Sequence, residues 1–347
     1  MSTKQYQTAI VFGRFQPFHN QHCKLIEHAC KIANNVIIVI GSANQARTPK
    51  NPFTFDERAA VIKHWIGGAL SDTSILYAII PSEDYLYSTQ MWAESIQRDV
   101  DTLSNPYKFG NLGKTAIVGC LKDSSSFYLK LFPQWDLIEI PHEKKVDATV
   151  IRELIYENND LDFIKGTVPS ETLDFIKCFR TSKDWEYVLN ERRILNQYKQ
   201  SWAAAPYAPT FVTADSIVIQ NGHILLIRRR AAPGQGLLAL PGGFLEQTET
   251  IEQGIIRELR EETRIKVPAP VLRGSIKEIK VFDAPGRSLR GRTITHAGLI
   301  VLEGDDLPKV KGSDDAEHAA WYPLGSLNAS DFFEDHYSII NYFKGRI

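Results

Sequence analysis

The chain has 347 residues, 43% of them hydrophobic and 23% charged, which is more than one ordinary core absorbs and points to two folded domains. With 40 basic against 41 acidic residues the net charge is −1, so no basic bias advertises nucleic acid. No apolar run of roughly 18 residues occurs, and the start, MSTKQYQTAIVFG, has no signal-peptide core. No membrane segment is therefore expected, and the cytoplasm is the default. Cys23, Cys30, Cys120 and Cys178 form no CxxC pair and read as reduced thiols, neither a disulfide frame nor a zinc site.

The first half alternates short apolar runs with helical periodicity. Thr8–Phe12 and Val36–Ile40 read as buried strands, with helices over His22–Ala33 and Phe55–Ile66. Strands follow at Ile75–Ile80, Thr115–Gly119 and Leu137–Ile140, and helices at Trp92–Leu103, Phe127–Phe132 and Thr149–Glu157. Such alternation implies a doubly wound parallel α/β sheet, Rossmann-like, with ligands at the carboxyl ends of its strands. From Pro169 to about Trp202 the pattern is helical and polar, until Ala203–Pro209 breaks it. This places one domain at 1–183, a helical linker at 184–206 and a second domain at 207–347. The second domain opens with strands Ser216–Ile219 and Ile224–Arg228 around Asn221-Gly222, a hairpin signal. Further strands at Ile276–Phe282, Thr293–Val301 and Ala319–Tyr322, and a last helix near Asp335–Phe343, make it α+β.

Gly13–His22, GRFQPFHNQH, lies between the first strand and the first helix. A strand feeding a glycine turn and a helix start presents backbone N–H groups to an anion. His19 and His22 share one helix face, and Arg14 adds a permanent cation. The set suits a polyphosphate. The turn resembles the (H/T)xxH signature of the nucleotidyltransferase superfamily, with Gln21 where glycine is common. Val146–Arg152, VDATVIR, resembles its second signature, ISxTxIR, with Asp147 replacing the serine. Arg47–Thr54 followed by Arg58 resembles the RTxxNPF(T)xxER segment of nicotinamide mononucleotide adenylyltransferases of the archaeal type, and Gly119–Ser126 resembles their GxxKDxSS loop. The resemblance implies substrate contacts from Gly13, Arg14, Phe15, Arg47, Asn51, Arg58, Lys122, Asp123 and Thr149. Arg47 would take the mononucleotide phosphate and Arg152 the ATP phosphates. Trp92 would stack on the pyridine ring, a core role being an equal reading. His19, His22 and Arg152 would carry the transfer of AMP from ATP to nicotinamide mononucleotide, giving NAD.

In Gly242–Ile265, GGFLEQTETIEQGIIRELREETRI, Glu249 stands six residues after Gly243 and Arg257 eight further, followed by Glu258, Glu261 and Glu262. Six fixed positions match by chance in roughly one window in ten million. On a helix, Glu258, Glu261 and Glu262 stand at i, i+3 and i+4 and share one face. Carboxylates so placed repel unless a hard cation such as Mg²⁺ or Mn²⁺ sits among them. The stretch resembles the Nudix box, with Arg264 in place of its closing glycine. The resemblance implies metal ligation by Glu258, Glu262 and the Gly242 carbonyl. Glu261 would be a further ligand or would orient water, and Glu249–Arg257 would be a structural salt bridge. Asp283–Thr293 resembles the DxPxRDPRGR element of ADP-ribose-type Nudix enzymes, which would put Arg287, Arg290 and Arg292 at a diphosphate.

An adenylyltransferase segment of this type before a Nudix segment resembles the bifunctional enzymes that join the two. That implies ATP, nicotinamide mononucleotide, NAD and ADP-ribose as partners and leaves a homo-oligomer open. Two alternatives stay open for the second domain: another nucleoside diphosphate as substrate, or a regulator that senses ADP-ribose without cleaving it.

Overall fold

A computed structural model describes residues 4–70, 75–105, 107–121, 124–142, 147–158, 160–312 and 316–346. Contacts divide the chain into two compact units, Met1–Leu189 and Asn190–Ile347.

The first unit is built on five parallel strands: β1 (Tyr6–Gly13), β2 (Ala33–Ile40), β3 (Leu76–Pro81), β4 (Thr115–Gly119) and β5 (Asp136–Glu139). Their order is β3-β2-β1-β4-β5, with parallel neighbours throughout. The chain reverses winding direction at β1 and β4, so a crevice opens beyond their carboxyl ends. Helices α1 (Asn20–Ile32), α2 (Phe55–Ala69), α3 (Thr89–Asp101) and α4 (Ala148–Glu157) connect or follow them. Ile10, Ile37, Ile38 and Ile117 are fully buried, as a sheet covered on both faces requires.

Most expected elements appear, with shifted ends. The second strand begins at Ala33, where the first helix has already ended. Phe127–Phe132, expected as α-helix, falls in a 3-10 stretch over Ser124–Lys130. The polar helical run divides into α5 (Ser170–Phe179) and α6 (Lys183–Ser201). The break has a local cause: Ser182 Oγ accepts the Trp185 N–H at 3.2 Å, a cap that starts a new helix.

In the second unit, β6 (Thr210–Gln220), β7 (His223–Arg229), β8 (Leu238–Ala239) and β9 (Gly242–Phe244) precede α7 (Ile251–Thr263) and α8 (Ala269–Gly274). Then come β10 (Ile276–Phe282), β11 (Arg292–Val301), β12 (Ala316–Pro323) and α9 (His336–Lys344). The mixed sheet runs β10-β11-β6-β7-β12, with β8 on β7 and β9 on β6. Asn221 and Gly222 turn the β6–β7 hairpin with φ of 48° and 72°. Ile255 and Leu259 of α7 are fully buried against this sheet, with the Glu258 side chain, 14% exposed, at the edge of that face and Glu261, 48% exposed, beyond it.

Arg287 anchors the end of the chain. Its guanidinium is 2% exposed and donates to Asp335 through bonds of 2.9 and 2.7 Å. Arg287, expected at a substrate diphosphate, is held here by Asp335. Arg287→Ala should destabilise the second unit by about 3–5 kcal/mol, because Asp335 is left charged and buried. An R287M/D335L pair should recover most of that loss. Urea unfolding checks both, and an unshifted midpoint in Arg287→Ala would contradict this account.

Candidate active sites

In the first unit, a cavity of roughly 260 Å³ opens at the carboxyl ends of β1 and β4. Gly13, Arg14, Phe15, His19, His22, Thr149 and Arg152 all line it. Gly13 is required because a Cβ there would stand 2.8 Å from the Phe15 ring. Phe15 adopts φ of 52° and the whole residue is 1% exposed, so it forms the packed wall of the cavity. Its ring contacts His22, with centroids 4.6 Å apart.

The His19 and His22 rings stack at 3.6 Å, and the His19 N–H donates to His22 Nδ1 at 3.3 Å. Burial, then the neighbouring His19, holds the His22 pKa well below the usual imidazole range. With Nδ1 accepting, neutral His22 carries its proton on Nε2. His22 therefore offers a hydrogen-bond donor. The cations are Arg14, exposed at the cavity, and Arg152, 6% exposed. Arg152 donates to the Gln16 carbonyl at 2.7 Å and to Thr149 Oγ1 at 3.2 Å. Asp147 caps α4 by accepting the Thr149 N–H at 2.7 Å.

Two side chains brace this loop from behind. The Gln16 amide donates to the Phe53 carbonyl at 2.7 Å and accepts the Phe53 N–H at 3.1 Å. Arg58, 2% exposed, donates to four carbonyls, those of Thr54, Arg14, Gly41 and Ser42. Arg58 was expected at the substrate. The structure corrects that: its donors are spent on the backbone ends of β1 and β2, and it positions the loop.

The other expected contacts lie outside the cavity lining. Arg47 holds Glu57 through bonds of 2.7 and 2.8 Å and Asp184 at 2.9 Å, so a phosphate would compete with two carboxylates. Asn51 turns back on Thr48, and its Oδ1 is buried with no hydrogen-bond partner. Trp92 donates to Ser82 Oγ at 3.0 Å and packs among Phe12, Tyr128 and Phe132. Lys122 and Asp123 lie outside the described residues. Tyr128 and His142 also line the cavity and escaped the sequence reading. His142 follows β5, and the rule that ligands gather past strand ends was the available signal.

In the second unit, β9 pairs with β6, setting Gly242 opposite Asp215 and Gly243 opposite Ala214. A Cβ at Gly243 would lie 2.5 Å from the Glu258 carboxylate, which explains the glycine. The Gly242 N–H donates to Glu262 at 2.9 Å. Arg257 pairs with Glu249 through bonds of 2.9 and 2.7 Å. Its Nη1 also bridges Glu258 and Glu261, both at 2.8 Å. Glu262 is pushed up to about 8, chiefly by burial, with Glu258 and Asp215 adding repulsion. Asp215, which accepts from Thr295 Oγ1, is pushed up to about 6, again chiefly by burial. Glu258 shifts upward for the same first reason.

Among the described residues no three His, Cys, Asp or Glu side chains converge closely enough to hold a metal ion as they stand. Arg257 draws Glu258 and Glu261 to itself, and Glu262 turns to the Gly242 N–H. The donor set nevertheless fits a hard divalent cation, because two carboxylates already converge on one cationic atom and a third, Glu262, is buried nearby. Of the arginine loop, Arg292 donates to the Asp283 carbonyl, and Arg290 faces Glu334 at 3.5 Å. Arg264 stands at the end of α7 with φ of 45°, so the left-handed turn forms without the glycine.

A parallel α/β sheet with a histidine–arginine cavity and a mixed sheet with an acidic helix define a nucleotidyltransferase-type domain joined to a Nudix-type hydrolase domain. The family descriptions agree: a cytidylyltransferase-like domain matches residues 10–106 and a NUDIX domain matches 210–343. A nicotinamide/nicotinic acid mononucleotide adenylyltransferase of Acinetobacter baylyi is 30% identical, over 54% of this chain and 95% of that protein. An ADP-ribose pyrophosphatase of Methanocaldococcus jannaschii is 36% identical, over 39% of this chain and 73% of that one. The crystal structure of a bifunctional NMN adenylyltransferase/ADP ribose pyrophosphatase from Francisella tularensis, complexed with AMP and a Mn ion, is 38% identical. It covers 98% of this chain and 99% of its own, with a TM-score of 0.87. The chain belongs to this family of bifunctional NMN adenylyltransferase/ADP-ribose pyrophosphatases.

Arg58→Met should destabilise the first unit by about 3 kcal/mol or more, since it strands buried carbonyls, with Arg58→Lys intermediate. Thermal unfolding checks this; a side chain serving only substrate would leave the midpoint unchanged.

Proposed function

We propose that the chain performs two reactions at two separate sites. The first unit transfers AMP from ATP to nicotinamide mononucleotide, giving NAD and pyrophosphate. The second hydrolyses ADP-ribose to AMP and ribose 5-phosphate. The observation that carries this reading is the end-to-end likeness to the Francisella enzyme, on a chain that keeps both sets of polar side chains.

In the first reaction the mononucleotide phosphate attacks the ATP α-phosphorus and pyrophosphate leaves. No protein nucleophile is needed, so catalysis is positioning and charge neutralisation. Arg14 and Arg152 supply positive charge, and His22 Nε2–H and His19 supply donors to phosphate oxygens. Thr149 steadies Arg152.

In the second reaction water attacks one phosphorus of the diphosphate. Glu258, Glu262 and the Gly242 carbonyl would hold Mg²⁺ or Mn²⁺, with Glu261 as a further ligand or a water-orienting carboxylate. The bound ion neutralises the diphosphate and makes water more acidic. Arg257 keeps Glu258 and Glu261 together through its fixed pairing with Glu249. Arg290 and Arg292 would meet the diphosphate. No helix among the described residues is long and apolar enough to cross a membrane. The cytoplasm, where nucleotide pools reside, is the compartment we assign.

The two sites should separate by mutation. His22→Ala should lower NAD synthesis by about two orders of magnitude or more, the size of effect typical of one lost transition-state donor, and leave ADP-ribose hydrolysis intact. Glu262→Gln should do the reverse. Pyrophosphate release from ATP with nicotinamide mononucleotide, and AMP release from ADP-ribose, read the two activities; equal loss of both in either variant would overturn the assignment.

A further inference from the structure

An aromatic strip beside the acidic helix serves neither set of residues described above. Phe244 directly follows Gly242-Gly243 and is 42% exposed. Its carbonyl accepts Arg257 Nη2 at 3.2 Å, so it begins one residue from the carboxylates. The Phe244 ring meets Phe211 edge-on at 5.8 Å, and Phe211 meets Trp202 edge-on at 5.2 Å. Trp202 is 45% exposed. The Arg290 guanidinium stands 5.5 Å from the Phe244 ring centre. A Cβ at Gly291 would lie 3.3 Å from Phe211, so the arginine loop lies close along the same strip.

Rings that only fill a core are buried, whereas both ends of this strip are open. Two exposed rings fall far short of the roughly 1,200 Å² that a stable protein interface buries. Flat π faces and a guanidinium beside a diphosphate-type acid site suit a nucleobase. We propose that Phe244, Phe211 and Trp202 seat the purine ring of the Nudix substrate, with Arg290 between that ring and the diphosphate. The inference rests on the ADP-ribose reading and adds the residues that select its nucleoside end.

The test uses the full chain, metal-free, with the adenylyltransferase cavity filled by a non-hydrolysable ATP analogue. ADP-ribose is titrated calorimetrically into wild type, Phe244→Leu and Phe244→Tyr. Leucine keeps apolar bulk without a π face; tyrosine keeps the face. Phe244→Leu should bind roughly 5- to 150-fold more weakly, the range for one lost base–aromatic stack, and Phe244→Tyr close to wild type. With Mg²⁺ added, the KM for ADP-ribose should rise in Phe244→Leu while kcat holds. Equal binding by wild type and Phe244→Leu overturns the proposal. A change of oligomeric state in Phe244→Leu overturns it in favour of a second copy of the chain as occupant. Wild type that binds ADP-ribose but releases no AMP with Mg²⁺ sinks the hydrolase reading alone. Wild type that does not bind ADP-ribose sinks the platform as well.

Discussion

Repulsion between like charges is the constraint both units are built to withstand. In the second unit Asp215, Glu258 and Glu262 lie by a glycine pair, and burial drives all three toward their protonated forms, with Asp215 adding repulsion to the two glutamates. In the first unit Arg14 and Arg152 share a cavity; burial and then Arg14 weaken the hold of Arg152 on its proton, and burial with both arginines weakens that of nearby Lys50. An anionic substrate relieves the first and a divalent cation the second, so ligand binding recovers energy that folding has stored as repulsion.

The holding is done by groups that touch no substrate. Arg58 ties the carbonyls of Arg14, Gly41 and Ser42 to α2, which fixes where Arg14 begins. Gln16 clasps Phe53 and passes its own carbonyl to Arg152. In the second unit Arg257, pinned by Glu249, spans Glu258 and Glu261. Each brace uses the fixed fork of a guanidinium or the paired donor and acceptor of an amide. A lysine in any of these places would be a looser clamp.

Local order was legible in the sequence because local rules produce it. The alternation of β-branched runs with helical periods gave the parallel sheet, and the spacing of Glu258, Glu261 and Glu262 put them along one face of α7. What escaped depends on contacts far apart in the chain. Arg287 and Arg290 look alike in a loop of three arginines, yet Arg287 is buried on Asp335, 48 residues further on. Arg58 and Arg47 sit in a segment that reads as phosphate-binding, and only the fold shows one bonded to backbone and the other to Glu57 and Asp184. The neutral state of His22 likewise depends on burial, which no spacing encodes.

The four departures from the family patterns fall where geometry absorbs them. Gln21, in place of glycine, is 3% exposed and donates to the Pro141 carbonyl at 3.1 Å, so the larger side chain becomes a tie between α1 and the segment after β5. Asp147, in place of serine, makes the same kind of cap a serine would, and the N–H it accepts keeps its charge engaged at the helix start. Arg264 takes the left-handed conformation at a cost of about 1 kcal/mol, which the rest of α7 outweighs. Ser288 and Leu289 replace an Asp-Pro pair, and the missing carboxylate arrives from Glu334, which accepts the Ser288 hydroxyl at 2.6 Å and the Leu289 N–H at 3.2 Å. Glu334 is itself buried in the left-handed region, next to the Asp335 that holds Arg287. Two successive acids thus brace one arginine loop from the far end of the chain, and a substitution in that loop is compensated by a residue 46 positions away.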